Sequence, residues 1–486
     1  MNDSEVSAAA ERRQTASRRA FRGDRDFLDE EKIAGLLRST RNPDKGRVLE
    51  IVDKALALHR LDPVETAVLL NVTDREVWDA VFEAARSIRD RVYGPRIVTF
   101  APLYCSNLCV NSCRYCAFRK ENSEQCRRQL SPDEVAEEVR ALVAAGHKRL
   151  IMVYGEHPEA GVEYVRATIE AAYRTKEGKG EIRRVNVNAS PLTVEDYRRV
   201  AETGIGTYQI FQETYHRPTY RRVHPRGPKA DYLWRLLGLH RAQEAGIDDV
   251  GIGVLFGLYD WKFEVMGLLC HAIDLEEKFG GVGPHTISFP RLEPAQNAPL
   301  AIRSPHRVSD LEFLRLIAVL RLSVPYTGMI VTARETATIR RAAIELGCTQ
   351  TDASSRIGVG AYRDSDGCQD EGRQQFMLGD TRDLDEVVRE LAGMGYLTSF
   401  CTSGYRCGRT GQSFMRLAKS GEVHRYCIPN AILTMNEFLL DYASDTTRAA
   451  GEELMADRLA QLPEATRALV TAKLRRAREG SRDERL

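Results

Sequence analysis

The stretch APLYCSNLCVNSCRYCAFR, residues 101–119, decides the fold. Its first residues, with Ile97 to Pro102, read as a short apolar strand. Immediately after it come Cys109, Cys113 and Cys116 in a Cx3CxxC run, with the aromatic Tyr115 just before the last cysteine. Three thiolates this close together suit three corners of a four-iron cluster, since cysteine thiolates are the usual ligands of iron–sulfur clusters. The fourth iron then has no protein ligand, and an incomplete ligand set leaves a metal open for chemistry. The competing reading is a zinc knuckle. Zinc needs a fourth ligand, and no second close pair or CxxH follows.

Working outward, short apolar runs alternate with amphipathic stretches from about residue 95 to 360. The expected strands are Ile97–Pro102, Arg149–Val153, Arg184–Asn188, Thr207–Phe211, Asp249–Leu255, Thr286–Phe289, Met329–Thr332 and Thr349–Ala353. Helices are expected between them, among them 132–145, 160–174, 193–203 and 309–322. Gly146, Gly204, Gly246 and Gly347 stand where helices should end. Eight strand–helix units predict an α/β fold, a (β/α)8 barrel of the TIM type, which takes about 250 residues. Active sites of such barrels lie at the C-terminal ends of the strands. The cysteine run, directly after the first strand, falls there. This barrel occupies residues 91–375. It is preceded by a charged helical region, 1–90, with apolar residues at helical spacing over 46–87 and a frayed first 25 residues. It is followed by an extension, 376–486, that is charged and helical from near Ser444.

Bulk properties narrow the class. The 486 residues carry 70 Lys and Arg against 69 Asp and Glu, so no net field draws in nucleic acid or anionic membrane. No apolar run reaches the length of a membrane span. Arg12–Arg13 and Arg18–Arg19 are not followed by the apolar stretch of a secretory signal, and Asp3, Glu5 and Glu11 argue against a transit peptide. Eleven cysteines, an odd number in a large chain, suggest thiolate chemistry in a reducing compartment, the cytoplasm.

Eight stretches together carry a family resemblance: the cysteine run, GEHPE (155–159), GEIRRVNVN (180–188), GIGTYQIFQETYH (204–216), AGIDDVGIGVLFGLYD (245–260), VGPHTISFPRLEPA (282–295), VPYTGMI (324–330) and PNAILTMNEFLLDYAS (429–444). From about residue 90 to 445 the chain resembles the radical S-adenosylmethionine (SAM) tyrosine lyases of [FeFe]-hydrogenase maturation, the HydG family. It resembles more distantly the thiamine-pathway tyrosine lyases, the ThiH family. The resemblance implies a [4Fe-4S] cluster on Cys109, Cys113 and Cys116 with SAM on its open iron, and an electron donor such as ferredoxin or flavodoxin. It implies cleavage of L-tyrosine at Cα–Cβ to p-cresol and dehydroglycine (2-iminoacetate). In the maturation enzymes dehydroglycine is then broken to carbon monoxide and cyanide, and the product passes to a maturation partner.

The same resemblance assigns site residues. Gly155 and Glu156, after the second strand, hold the methionine ammonium of SAM. Arg334 grips the tyrosine carboxylate, as a bidentate guanidinium does best. Its alternative is a surface salt bridge to a nearby Glu. Gln212 and Glu213 point into the barrel toward SAM or substrate. Asp352 stands where the family carries a serine, and a carboxylate there would repel that of the substrate. A second cluster is implied in the extension, where the family pattern is CxxC followed by 22 residues and Cys. Cys401 and Cys427 keep the outer positions, Gly404 replaces the middle one, and Cys407 appears three residues later. Three readings stay open: Cys407 substitutes, a two-cysteine site holds a labile cluster, or the site is empty. By spacing, His271 matches the histidine that holds the extra iron, with His285 as the alternative. The rivals are therefore a lyase that stops at dehydroglycine and, from another class, a non-catalytic iron–sulfur scaffold.

Overall fold

The computed structural model describes residues 26–364 and 369–486; the expectations for the first 25 residues lie outside this range. Eight parallel strands close into a barrel: β1 (Arg96–Ser106), β2 (Arg149–Tyr154), β3 (Arg184–Asn188), β4 (Tyr208–Glu213), β5 (Val250–Val254), β6 (Thr286–Ser288), β7 (Gly328–Val331) and β8 (Gln350–Asp352). Closure comes from β8 against β1, with Val98 opposite Gln350 and Phe100 opposite Asp352. All eleven residues of β1 are buried, because helices cover the outside and side chains fill the inside.

The sequence-predicted barrel strands fall within two residues of these at each end, except that β1 runs four residues beyond the expected Pro102, and the helices between them start where local chemistry dictates. Ser131 and Ser309 close capping boxes with Glu134 and Glu312 at the starts of helices Pro132–Ala144 and Asp310–Ser323. Gly146, Gly204 and Gly246 turn the chain back with φ of +94°, +75° and +92°. Gly347 differs: it sits at a helix end but with φ of 179°, an extended conformation open to any residue.

Four helices, Glu30–Ser39, Lys45–Leu56, Pro63–Leu70 and Arg75–Tyr93, precede the barrel and pack on its flank against helices Trp261–Lys278 and Asp310–Ser323. The extension holds a ninth strand that the sequence reading did not anticipate, β9 (Leu397–Ser399). It pairs in parallel with the start of β1, Arg96 opposite Leu397 and Val98 opposite Ser399. Helix His424–Asp441 lies against β9 and β1, beneath the N-terminal end of the barrel. The chain then ends by folding onto the loop after β9. Asp483 pairs with Arg406 at 2.5 Å, and the Leu486 carbonyl accepts from Arg409 at 2.6 Å. No helix among the described residues is long and apolar enough to cross a membrane.

One buried charge cluster ties the extension to the barrel. Glu437 accepts from both ends of the Arg183 guanidinium, at 3.0 and 2.6 Å, and lies 3.1 Å from the Lys148 ammonium. Burial raises the Glu437 carboxyl, but Arg183 and Lys148 outweigh it and bring it to about 2. Burial wins at Lys148, whose ammonium is pushed down even beside Glu437, so the bidentate Arg183 contact is the favourable part. Glu437→Gln leaves two buried cations short of their anion and is expected to lower stability by about 3 kcal/mol, read as a fall in the urea midpoint. The contribution of Glu437 is complete above about pH 4.3 and disappears as pH falls toward 2. The gap between parent and variant should therefore narrow in acid and stay constant above pH ~5.

Candidate active site

The loop after β1 carries Cys109, Cys113 and Cys116 to the C-terminal end of the barrel and is fixed there by its own backbone. Val110 N–H donates to the Glu156 carbonyl at 2.9 Å, Ser112 N–H to the Arg226 carbonyl at 3.2 Å and Arg114 N–H to the Val223 carbonyl at 3.0 Å. Arg127 donates to the Asn107 and Phe118 carbonyls at 2.9 and 2.8 Å. The three thiols are free of disulfides. Asn111 Nδ2 approaches the Cys109 sulfur at 3.7 Å and Gln375 Nε2 the Cys116 sulfur at 3.3 Å. Among the described residues no three Cys, His, Asp or Glu side chains converge on one point as a single ion requires. A cluster asks for something wider, one thiolate on each of three irons. Three thiolates without a fourth ligand leave a tetrahedral zinc site one short and fit a cluster better.

Gly155 and Glu156 complete this corner. A Cβ on Gly155 would lie 2.1 Å from the Leu108 carbonyl, so glycine is what lets the turn after β2 nest against the cysteine loop. Asn111 Nδ2 donates to Glu156 Oε2 at 2.7 Å, and Lys229 N–H donates to Asn111 Oδ1 at 2.8 Å. Tyr115, behind the loop, donates its hydroxyl to His224 Nε2 at 2.8 Å. That direction follows because His224 Nδ1 faces the Tyr220 carbonyl and must donate to it.

A cavity of about 220 Å³ opens below the cysteines, inside the barrel mouth. Gln209, Phe211 and Glu213 of β4 line it, and Gln212 does not. Side chains alternate along a strand, so Gln212 is buried in the opposite face, its amide without a partner among the described residues. The expectation that both point into the barrel is corrected for Gln212. Glu213 sits at a register shift with φ of +71°, uncommon for a non-glycine residue. Lys229 Nζ holds its carboxylate at 2.6 Å and Arg235 lies at 3.6 Å. Burial raises the Glu213 carboxyl, and these two cations bring it below its ordinary value.

Arg334 follows β7 into the cavity with its guanidinium 3.2 Å over the Phe376 ring. The neighbouring Glu335 does not take it, being paired instead with Arg291, so the surface salt bridge is excluded. Asp352, at the end of β8, accepts from Ala333 N–H at 2.7 Å and from the Ser355 hydroxyl at 2.5 Å. Its carboxylate thus fixes the turn that carries Arg334. Lys229, Arg235, Glu293, Gln375 and Phe376 also line the cavity. Sequence reasoning missed them: Lys229 and Arg235 stand in short helical segments and Gln375 and Phe376 in a loop, all without a motif, and Glu293, inside the stretch 282–295, was not singled out. Asn111 was findable, being inside the cysteine run.

At the opposite end, β9 delivers Cys401, with φ of +47°, to the barrel floor. Arg184 donates to the Cys401 carbonyl at 3.0 Å and approaches its sulfur at 3.7 Å, and Arg96 lies 3.7 Å from the Cys427 sulfur. Burial raises the Cys401 thiol, but Arg184, Arg96 and Arg149 together bring it below its ordinary value. Cys407 is exposed, whereas Cys401 and Cys427 are half-buried. His271 belongs to the outer wall. It shares a 2.8 Å hydrogen bond with the Tyr215 hydroxyl and stacks on His240 at 5.6 Å. It is corrected to a core histidine. His285 is the one at the floor, 3.4 Å from Asp249 and packed on Phe414 at 4.3 Å, and Arg184, Arg149 and Arg96 all bear on it.

Comparison with known proteins agrees with this geometry. Residues 103–268 match the Radical SAM superfamily, and residues 288–397 the Biotin and Thiamin Synthesis associated domain. The chain is similar to a crystal structure of HydG, a maturase of the [FeFe]-hydrogenase, with a TM-score of 0.91 and 48% identity over 95% of this chain and 100% of that one. It is similar to HydG from Carboxydothermus hydrogenoformans, with a TM-score of 0.78 and 36% identity over 98% of this chain and 100% of the other. The 2-iminoacetate synthase of Escherichia coli K12 is 28% identical over 352 residues, 72% of this chain and 89% of the relative.

Gly155→Ala forces a methyl group into the Leu108 carbonyl. Overpacking of this kind costs about 1–3 kcal/mol, and here it displaces Glu156 and the cysteine loop together. SAM binding is expected to weaken by about tenfold or more, measured by equilibrium titration of the reconstituted protein.

Proposed function

The chain belongs to the HydG family of radical SAM enzymes, and from this premise we propose that it splits L-tyrosine at Cα–Cβ into p-cresol and dehydroglycine. The observation that carries the reading is the pairing across one cavity of the cysteine loop with Arg334, a guanidinium without an ion-pair partner among the described residues. When bound, the [4Fe-4S] cluster and SAM supply a carbon radical able to take a hydrogen atom from the substrate. Cys109, Cys113 and Cys116 would hold three irons and leave one open. Glu156, oriented by Asn111, would hold the SAM ammonium. Arg334 takes the substrate carboxylate, and Phe376 beneath it restricts the guanidinium, because hydrogen abstraction depends on close placement. Asp352 is turned to its own hydrogen bonds, and Arg340, 3.9 Å away, offsets its charge toward the substrate carboxylate. The enclosing barrel keeps water from the radical. A ferredoxin or flavodoxin is the proposed electron donor. A cytoplasmic setting is supported by the described cysteines, all free.

The reaction is proposed to end at dehydroglycine. Gly404 removes one thiolate of the second cluster, and the exposed Cys407 sits on a loop whose Arg406 and Arg409 are tied to Asp483 and Leu486. The reading in which carbon monoxide and cyanide follow for hydrogenase maturation is favoured by one observation, the 48% identity to HydG over its full length. In that case a maturation partner would receive the product. Both are decided by anaerobic turnover of the reconstituted protein with tyrosine, SAM and a strong reductant. The expected result is p-cresol without carbon monoxide. Carbon monoxide from the parent chain would establish the longer reaction, and SAM cleavage without p-cresol would remove tyrosine as substrate. Position 404 has room for a side chain, its nearest neighbour being the Arg409 carbonyl at 3.6 Å. Gly404→Cys is therefore expected to add iron to the C-terminal site and to switch carbon monoxide on.

A further inference from the structure

Four charged residues stand on the two loops that follow β6 and β7: Arg291 and Glu293, Arg334 and Glu335. Two of them satisfy each other. Arg291 meets Glu335 through both guanidinium branches, one contact being Nε to Oε1 at 3.0 Å, and it also reaches Asp310 at 2.8 Å. The other two, Glu293 and Arg334, both line the cavity under the cysteine loop. They form no ion pair with each other, and among the described residues Glu293 accepts no hydrogen bond.

Neither residue is loosely held. Leu292 N–H donates to the Phe256 carbonyl at 2.9 Å and Met377 N–H to the Pro294 carbonyl at 2.8 Å, which pins the backbone on both sides of Glu293. Gly379 and Asp380 N–H both donate to the Ala333 carbonyl, at 2.8 and 3.0 Å, which pins the turn before Arg334. A carboxylate and a guanidinium in one cavity would ordinarily collapse onto one another. Here rigid backbones and the Phe376 platform hold them apart. Burial and the neighbouring Glu335 raise the Glu293 carboxyl to about 7, so a cation placed beside it would be what keeps it ionised.

We infer that Glu293 and Arg334 form a two-point clamp for the α-amino acid group, Arg334 taking the carboxylate and Glu293 the ammonium. This rests on the amino-acid lyase reading above. It adds a specificity rule that Arg334 alone does not supply: an α-hydroxy or deaminated acid of the same size satisfies only half of the clamp. Such a compound leaves the half-buried Glu293 without a partner.

The test is equilibrium binding of L-tyrosine and of 3-(4-hydroxyphenyl)propanoate, its deaminated analogue, to the reconstituted, SAM-loaded full chain without reductant. The parent should prefer tyrosine by about ten- to a hundredfold, the worth of one charge-assisted hydrogen bond. Glu293→Gln should lose most of that preference by weakening tyrosine while leaving the analogue unchanged, and unchanged analogue binding also shows that the cavity is intact. Glu293→Asp should recover part of it. Equal weakening of both ligands, or a preference that survives in Glu293→Gln, would overturn the clamp. If the parent binds a different α-amino acid in place of tyrosine, and Glu293→Gln abolishes its preference over the deaminated counterpart, the clamp stands and the tyrosine reading falls. Failure to bind any α-amino acid would overturn both.

Discussion

One strand is hydrogen-bonded to three others, and the rest of the molecule is arranged around that fact. β1 is eleven residues long, about twice an ordinary strand. Its start pairs with β9, its middle with β8 and its end with β2. The middle pairing closes the barrel. The end pairing sets the direction in which the cysteine loop leaves. The start pairing brings the extension, with Cys401, under the floor. Two chemically distinct sites are thus fixed to the two ends of a single rigid segment, roughly 30 Å apart.

The two ends treat sulfur differently. Above, the thiols are approached by neutral amides, Asn111 and Gln375, and the acid Glu213 is paired with Lys229. Below, the thiols face guanidinium groups, with Arg184 on Cys401 and Arg96 on Cys427. The upper site is organised by geometry, in the contact of Gly155 with Leu108 and the triple engagement of Asn111. The lower one is organised by charge. The loss of the thiol at position 404 therefore falls on the end where an electropositive surround remains in place around the two sulfurs that are left.

The barrel was legible in the sequence because most of its strands are short apolar-rich stretches bounded by helix caps and glycines, even though β3 (RVNVN), β4 (YQIFQE) and β8 (QTD) carry polar residues. The cysteine loop was legible because ligand spacing is a local property. What could not be read was what long-range pairing decides. β9 is three residues long and carries no periodicity; only its partner β1 makes it a strand. His271 and His285 are equivalent as letters, yet one lies on the helix that faces the N-terminal region and the other just before β6 on the floor. Gln212 and Glu213 are adjacent, and strand alternation separates them. Glu293 carries no spacing signal of its own; only the mutual pairing of Arg291 and Glu335 leaves it without a partner among the described residues.

The pairing of β1 also sets a clock during synthesis. Its partners lie far downstream, Gln350 for Val98 and Leu397 for Arg96, the latter about 300 residues later. A ribosome adding about 5–20 residues per second needs roughly 15–60 s to cover that distance. Cys109, Cys113 and Cys116 therefore leave the ribosome long before the wall that will shelter them exists. During that interval the thiols are open to the cell, and the loop meets its metal-loading or oxidising surroundings as an unfolded segment, not as a finished site.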